Sequence, residues 1–250
     1  MTKRRNYPGK ESPSEAKLKF SRHKACPDCF RSPQMCICNV TTSFENTIRT
    51  VILQHPQEQY KMLNSARLAR FILKNSSLRV GLSWPNFKAV AGPEENPSDW
   101  GILYLKNEDD SRISSAITVT DRKKRITEDF SFLRGIIALD GSWKQAKAMW
   151  WRNPWFLRLN RVSLNPDHPS LRKQVKKGAL STIEALALTL ELLGEDESLG
   201  ESMRRQYEKL IVKPVCSRAG QREEKDRPPA PGQSQTSASL PKLDQPFQNE

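Results

Sequence analysis

One acidic residue stands where the sequence predicts that a buried strand passes into a helix. Asp140 follows the apolar run at 135–139, and Ser142 and Gln145 have the spacing of a capping box that opens a helix. A carboxylate in this position can take a proton from a bound substrate. An Asp just before a helix more often only caps the helix or forms the turn. The local pattern therefore makes Asp140 a candidate for either role.

Tryptophans and cations follow Asp140 closely. Residues 143–155 contain four tryptophans, two lysines and one arginine. Helical spacing puts several of them along one side of the predicted helix: Trp143, Lys147 and either Trp150 or Trp151, with Lys144 and Arg152 nearby. Tryptophans at this spacing usually belong to a core. Mixed with lysine and arginine, they also suit stacking on bases and contact with phosphates.

The cysteines form a pattern that suits a metal ion. Cys26 and Cys29 form a CxxC, and Cys36 and Cys38 form a CxC a few residues later. Four thiolates brought together by tight turns provide the tetrahedral sulfur ligands that Zn²⁺ prefers, and metal binding can order a loop too small to fold alone. A redox CxxC and four unconnected thiols are the alternatives. We predict a structural zinc motif at 25–40, either as a staple on a larger domain or as a nucleic-acid-binding module.

Polar residues also mark the ends of other predicted elements. Ser181 and Glu184 form a second capping box, whose free N–H groups suit a bound carboxylate, although a well-capped helix is the simpler interpretation. His55 follows the first apolar run, and a lone His there is more often structural than a base, so we assign it no catalysis. Asn64 and Arg67 lie in the next helical run, as candidate substrate contacts or ordinary loop anchors.

The elements that must position these residues alternate between strand-like and helical runs. Short apolar runs lie at 51–53, 78–82, 101–105, 135–139 and 157–164, and helical runs lie at 60–73, from 142 onward and at 181–193. This alternation predicts an α/β domain with a mostly parallel sheet. Ligands of such sheets bind beyond the carboxyl ends of the strands, which points to the loops after residues 53, 105, 139 and 164. Asp140 is expected in one of these loops.

The charge balance favours a nucleic-acid partner. Lysine and arginine outnumber the acidic residues by 41 to 28, which gives a formal charge of +13. Basic runs at 122–125 and 172–177 add to this surface, the second through Arg172 and Lys173. Solvated charge is the ordinary interpretation of any one run, but their combination with the net charge favours RNA or DNA.

The length and the composition suggest one domain between two tails. We predict a basic disordered tail over 1–24, which alternatively is an arm that touches phosphates, and a disordered Pro-, Ser- and Gln-rich tail over 214–250. Residues 25–213 form the domain and include the four-cysteine motif. The sequence contains neither eighteen consecutive apolar residues nor a signal peptide, so we expect a soluble intracellular protein of the cytoplasm or nucleus. The sequence predicts no oligomeric state.

Several stretches together resemble one family. Residues 140–143, Asp-Gly-Ser-Trp, are similar to the D-x-T/S-W signature of the DTW-domain family. Other stretches agree with that family: LQHPxE at 53–58, NSARLA at 64–69, QAKxM at 145–149, RVxL at 161–164, LSTxEA at 180–185 and the preceding cysteine cluster. Ser142 departs from the usual Thr but keeps the hydroxyl. The joint order of the motifs, over about residues 25 to 210, is specific where each alone is weak.

The resemblance implies a tRNA-uridine aminocarboxypropyltransferase with a SPOUT-like fold, whose C-terminal part is knotted and binds S-adenosylmethionine as co-substrate. Such enzymes move the 3-amino-3-carboxypropyl group to N3 of a uridine in tRNA and release methylthioadenosine. The alternatives are a SPOUT-type RNA methyltransferase and a non-catalytic, zinc-containing RNA-binding module. A metal hydrolase is disfavoured because His23, His55 and His168 lack ligand spacing.

Roles follow from the resemblance for individual residues. Asp140 accepts the N3 proton or only orients the cofactor, and the predicted catalytic residues are Asp140, Ser142 and Trp143. The predicted cofactor contacts are Leu139, Gly141, Leu164, Ser181, Thr182 and Glu184. The predicted tRNA contacts are His55, Asn64, Arg67, Lys144, Lys147, Arg172 and Lys173. The predicted zinc ligands are Cys26, Cys29, Cys36 and Cys38.

Overall fold

The computed structural model describes most of the domain expected from the sequence. It covers residues 26–31, 33, 36–39, 41–61, 63–103, 115–127, 129–166, 169–171 and 180–225, with the backbone alone over 212–225. The chain divides into two compact units, 1–214 and 215–250. The predicted tail over 1–24 and the predicted contacts Arg172 and Lys173 lie outside the described residues.

A mixed sheet forms the centre of the first unit. Its strands are β1 (Arg49–Gln54), β2 (Ser76–Val80), β3 (Trp100–Leu103), β4 (Ile117–Thr120), β5 (Ile126–Thr127), β6 (Gly135–Asp140) and β7 (Asn160–Leu164). Within the described residues the order is β2-β1-β6-β3-β7-β4-β5. Neighbours from β2 to β7 run parallel, whereas β4 is antiparallel to β7 and β5. The predicted α/β class and mostly parallel sheet are confirmed.

The neighbouring strands β1 and β6 are buried on both faces, which explains their nearly continuous apolar sequence. Side chains alternate along a strand, so Ile52 of β1 packs in one core, whereas Val51 and Leu53 pack in the core on the other face. In β6, Ile136 lies in the first core and Ile137 in the second.

Helices cover both faces of this sheet. They are α1 (Ser65–Ile72), α2 (Lys88–Ala91), α3 (Trp143–Arg152), α4 (Thr182–Leu192) and α5 (Glu197–Lys225), with 3₁₀ helices at Pro56–Glu58, Pro97–Asp99 and Pro154–Arg158. Apolar residues of α1, α4 and α5 join the first core, and those of α2 and α3 join the second. Among the described residues, no helix is both long enough and apolar enough to cross a bilayer.

Some predicted boundaries differ from the structure. The helix expected from residue 60 begins at Ser65, because the Asn64 side chain accepts a hydrogen bond from the Arg67 N–H and caps it there. The strand expected from residue 157 begins at Asn160, after the 3₁₀ helix that starts at Pro154. Of the predicted C-terminal tail over 214–250, the structure describes only the backbone up to Lys225, where α5 ends, and residues 226–250 lie outside the described part of the chain.

A glycine allows a large aromatic ring to cross β6. Gly135 pairs in register with Trp100 of β3, and a Cβ atom at Gly135 would lie 2.6 Å from atoms of the Trp100 indole. The indole is fully buried, and its N–H donates to Glu95 Oε2 at 2.9 Å. The close approach requires a residue without a side chain at position 135.

Candidate active site

Two neighbouring strands deliver polar side chains to the same point at the carboxyl edge of the sheet. Gln54 ends β1 and Asp140 ends β6, and the two residues are paired in the parallel register. Asp140 is therefore the last residue of the strand, whereas the sequence predicted that it lies in the loop after the strand. Its side chain has the same parity as Ile136 and Ala138, so it faces the layer formed by α1 and α4.

The Asp140 carboxylate is buried and held by two donors. It is only 8% exposed. Gln54 Nε2 donates to Oδ2 at 2.8 Å, and the Thr182 hydroxyl donates to Oδ1 at 2.5 Å. The Asp140 backbone carbonyl accepts from the His55 N–H at 2.9 Å. Since an ionised carboxylate can accept about four hydrogen bonds, both oxygens keep further acceptor capacity.

Burial raises the pKa of Asp140 above its usual value. The hydrogen bonds from Thr182 and Gln54 lower the pKa and oppose this effect only in part, while the nearby negative charge of Glu58 adds to it. A carboxylate with a raised pKa is a stronger base than one in water, and general-base catalysis is most efficient when the pKa approaches the working pH. The environment of Asp140 thus suits proton transfer.

Gln54 is the functional residue that sequence reasoning missed. Its side chain is fully buried, and Nε2 also donates to Asn64 Oδ1 at 3.0 Å. Two acceptors on the same nitrogen fix the orientation of the amide. Within the described residues, Gln54 Oε1 has no hydrogen-bond partner. The available signal was a polar residue ending the run Val51-Ile52-Leu53, which marks a strand whose last side chain needs a polar partner.

Asn64 connects this pair to the loop that follows β1. Besides accepting from Gln54, its Oδ1 caps α1, and its Nδ2 donates to the backbone carbonyls of Glu58 and Gln59 at 3.2 and 3.1 Å. A continuous hydrogen-bonded chain therefore runs from Thr182 through Asp140 and Gln54 to Asn64. We name these four residues the Asp140 network.

Arg67 lies elsewhere, although it follows Asn64 by less than one turn. Its guanidinium donates to the Asp28 carbonyl at 2.6 Å and lies 4.2 Å over the Phe30 ring. Burial lowers its pKa, and the neighbouring Cys29 thiol opposes that effect. The structure thus places Arg67 against the cysteine loop and outside the Asp140 network.

The beginning of α4 contributes Thr182 to the site and uses its other polar residues internally. Glu184 is buried, and its carboxylate accepts from the Ser181 N–H at 2.9 Å, the Ser170 hydroxyl at 2.7 Å and the Leu171 N–H at 2.6 Å. The Ser181 hydroxyl also donates to it. Ser181 and Glu184 therefore fix the start of the helix and the adjacent loop, which in turn holds Thr182 beside Asp140.

The turn after Asp140 is closed by the predicted capping box. The Ser142 N–H donates to Gln145 Oε1 at 2.6 Å, and the Ser142 side chain caps the Gln145 N–H in return. Gln145 Nε2 donates to Gln57 Oε1 at 2.9 Å, which links this turn to the loop after β1. Trp143, next in the chain, is 44% exposed.

The remaining predicted contacts are spread around the same edge. The His55 Nδ1 accepts from the Gln57 N–H at 3.2 Å and caps the 3₁₀ helix, Leu139 packs against the second core, and Leu164 packs against the first. Gly141 lies against Gln145, to whose Cβ a side chain at 141 would approach within 3.0 Å. Lys144 and Lys147 are exposed on α3.

The four predicted zinc ligands converge at one place. Their sulfur atoms all lie within 4.8 Å of one another, with Cys26 and Cys38 separated by 3.7 Å and Cys29 and Cys36 by 3.8 Å. Tetrahedral zinc with a Zn–S bond of about 2.3 Å places its sulfur ligands about 3.8 Å apart, so these thiols fit such an ion. Backbone N–H groups of Cys29 and Asp28 lower the pKa of Cys26 to about 7, whereas burial raises the pKa of Cys38, so a bound cation would be needed to hold all four ligands as thiolates.

The cysteine loop is part of the domain core. Cys29 and Ile37 are buried in the first core cluster together with α1, α4 and α5. Phe30 adopts a left-handed backbone conformation with φ of 56°, and its N–H donates to the Cys26 carbonyl at 2.9 Å. The tight turn between the first two cysteines is thereby closed, and the arrangement suits a structural metal centre that staples the loop onto the sheet.

Comparison with known proteins agrees with the motifs. The family model described as the DTW domain matches residues 23–213. The chain is 26% identical over 198 residues to tRNA-uridine aminocarboxypropyltransferase 2 from Macaca fascicularis, covering 76% of this chain and 63% of that protein. The Drosophila melanogaster protein of the same name is 27% identical over 192 residues, covering 74% and 72%.

The matched region spans less than two thirds of the macaque protein's length, and no solved structure matches the chain significantly. The family match nevertheless extends over most of this chain and contains the cysteine centre and the Asp140 network. This protein belongs to the DTW domain family.

Proposed function

We propose that this protein transfers the 3-amino-3-carboxypropyl group of S-adenosylmethionine to N3 of a uridine in tRNA and releases methylthioadenosine. The observation that carries the proposal is the Asp140 carboxylate, buried and held by Gln54 and Thr182 at the carboxyl edge of the parallel sheet. Family relatives named for this reaction support it, as does the formal charge of +13, which suits a polyanionic substrate.

Asp140 acts as the general base in this proposal. Uridine N3 carries a proton and is a poor nucleophile until that proton is lost. The carboxylate accepts the proton through its remaining acceptor capacity, while N3 bonds to the terminal carbon of the carboxypropyl chain and the carbon–sulfur electron pair returns to sulfur. S-adenosylmethionine, when bound, supplies the sulfonium that makes this carbon electrophilic. The raised pKa of Asp140 favours the proton transfer.

The choice between the carboxypropyl chain and the methyl group rests on position. Both carbons are attached to the same sulfur, and the one in line with N3 reacts. The N-terminus of α4 lies beside Asp140 through Thr182, and its partial positive charge suits the carboxylate of the methionine moiety. Ser181 and Glu184 support this role by fixing the helix start. Leu139, Gly141 and Leu164 border the same edge, and Trp143 provides an aromatic wall for the cofactor or the flipped base.

The finer architecture is also proposed. A SPOUT-like knot in the C-terminal part agrees with a parallel sheet in which α4, after β7, returns to the end of β6. We further propose one domain over 25–213, with zinc in the cysteine centre as a structural ion. The proposed tRNA contacts are Lys144 and Lys147 on α3 and Arg172 and Lys173 in the basic run. The other three predicted contacts have a supporting role, since His55 and Asn64 hold the loop after β1 and Arg67 holds the cysteine loop.

The test uses unmodified tRNA and S-adenosylmethionine labelled separately in the methyl and the carboxypropyl carbons. Carboxypropyl label should enter the tRNA and methyl label should not. Asp140→Asn should abolish transfer and leave tRNA affinity nearly unchanged, whereas Asp129→Asn, at an exposed aspartate in the loop before β6, should behave as wild type. Methyl label in the tRNA would indicate a methyltransferase, and label from neither position would indicate an RNA-binding module.

A further inference from the structure

The outer face of α3 presents aromatic and cationic side chains in alternation. Successive residues of a helix are 100° apart, so Trp143, Lys147 and Trp151 lie in one row, with Lys144 beside it. These four residues, which we name the α3 face, are all exposed. Met149 and Ala146 lie on the opposite side and are buried.

The last tryptophan of this row is the most exposed large apolar side chain on the described surface. Trp151 is 73% exposed, whereas its neighbour Trp150 packs on Phe156 with ring centroids 5.6 Å apart, and Trp155 is 7% exposed. Trp150 and Trp155 have a packing role, whereas Trp151 has no ring contact within the described part of the chain. An indole exposed to this extent is well placed to stack on a partner.

The charge of the face selects the kind of partner. The sequence of α3, WKQAKAMWWR, contains three cations and no acidic residue. Lys147 separates the two tryptophans of the row, so the apolar surface is interrupted by positive charge. A protein partner would require a continuous apolar centre, whereas an unpaired nucleic-acid strand offers bases for the indoles and phosphates for the ammonium groups.

The face also begins at the reacting site. Trp143 follows Asp140 by three residues, and the row extends from it by two helical turns, a rise of about 12 Å to Trp151. Because α3 packs on the face of the sheet opposite to the one that the Asp140 carboxylate faces, a strand whose target uridine lies at Asp140 would cross the carboxyl edge of the sheet before it continues along α3.

We propose that the α3 face binds an unpaired stretch of substrate RNA beside the target uridine, with Trp151 stacking on a flanking base and Lys147 contacting the intervening phosphate. The inference rests on the proposed function for the identity of the strand. It adds a second contact, two turns from the chemistry, that positions the uridine. The proposal also gives Trp151 a role different from that of Trp143, which lies at the reacting site.

The test measures binding of an unmodified tRNA transcript and of a short oligouridine by fluorescence anisotropy, at several salt concentrations and without S-adenosylmethionine. Trp151→Ala should weaken binding about 5-fold or more with an unchanged salt dependence, and Trp151→Phe should retain most of the affinity. Lys147→Gln should reduce the slope of log affinity against log salt by about 0.7. Leu157→Ala removes another exposed apolar side chain, 55% exposed outside the α3 face, and should bind as wild type.

Wild-type affinity in Trp151→Ala would overturn the inference. A wild-type dimer that becomes a monomer in Trp151→Ala, measured by sedimentation, would also overturn it, because the face would then bind a second copy of the chain. Thermal unfolding of Trp151→Ala should match wild type, since the indole is exposed. The binding assay is independent of transfer. If Trp151→Ala binds RNA more weakly but wild type transfers no carboxypropyl group, only the proposed function is refuted. If wild type is active but Trp151→Ala binds RNA as wild type does, only the α3 contact is refuted.

Discussion

Gln54→Met tests whether the Asp140 network controls the base. Methionine has a similar length and an apolar, flexible side chain, so it fills the site without a donor. The substitution removes the 2.8 Å hydrogen bond to Asp140 and the 3.0 Å hydrogen bond to Asn64. A hydrogen bond to a charged acceptor contributes about 1.5–3 kcal/mol and a neutral one about 1 kcal/mol, so the loss amounts to about 2.5–4 kcal/mol. This loss is partly offset, because the substitution also removes Gln54 Oε1, which is buried without a hydrogen-bond partner in the described residues.

The effect on the reaction has a definite sign. The hydrogen bond from Gln54 lowers the pKa of Asp140, so its removal leaves burial less opposed and raises the pKa further. More of the enzyme then carries a protonated, inactive carboxyl at low pH, and the acid limb of the pH–rate profile moves to higher pH. A lost bond of about 1.5 kcal/mol or more slows transfer about 10-fold or more at a pH on the wild-type acid limb, with recovery at higher pH.

The assay is single-turnover transfer of carboxypropyl label to tRNA across a pH series, with tRNA affinity measured in parallel. Gln57→Met is the matched control, because Gln57 is an exposed glutamine of the same loop whose side chain contacts Gln145 and not Asp140. An unchanged acid limb in Gln54→Met, combined with lower stability, would refute the reasoning. Gln54 would then be a structural residue, and the ionisation of Asp140 would not limit the rate.

Three further predictions concern stability. Burial raises the folded-state pKa of Asp140 above the unfolded value near 3.8, so the folded protein holds the carboxyl proton more tightly than the unfolded chain does. The protein therefore loses stability as the pH rises from the unfolded-state pKa to the folded-state pKa. The unfolding free energy of Asp140→Asn, measured with urea, should therefore gain on wild type as the pH rises above about 4, and a constant difference would contradict the raised pKa. Wild type should contain one zinc ion per chain by atomic absorption, and Cys29→Ala should contain less and unfold at a lower temperature. Absence of metal from wild type purified under reducing conditions would refute the zinc site. Gly135→Ala should cost about 1–3 kcal/mol in urea unfolding because its Cβ would meet the Trp100 indole at 2.6 Å, and wild-type stability would show that the ring can move aside.

The sequence predicted the elements whose patterns are local. The apolar runs of β1 and β6 and the capping boxes at Ser142 and Ser181 determine where these elements lie, and the structure places each within a residue or two. The antiparallel strand β4 was not predicted, because the alternating sequence Ile117-Thr118-Val119-Thr120 is short and lacks a continuous apolar run. Its position depends on pairing with β7, a contact distant in sequence.

The composition of the candidate site was predictable only in part. Asp140 follows from its position after a buried strand, but Gln54 becomes its partner only through the parallel register of β1 and β6. Likewise, the capping box identifies Ser181 as the residue that caps the helix, but no local pattern indicates that the next residue, Thr182, contacts Asp140. Arg67 and Asn64 share one motif, yet the turn of α1 directs one toward the cysteine loop and the other toward Gln54.

The edges of the sheet have a consequence for behaviour at high protein concentration. Within the described residues, β2 and β5 are the outer strands, and β5 has two residues preceded by four consecutive exposed cations, Arg122 to Arg125. A short edge carrying like charges repels the same edge of another molecule and offers few backbone groups for intermolecular pairing. The mostly apolar strands β1 and β6 are enclosed between these edges. The fold thereby protects its most aggregation-prone segments.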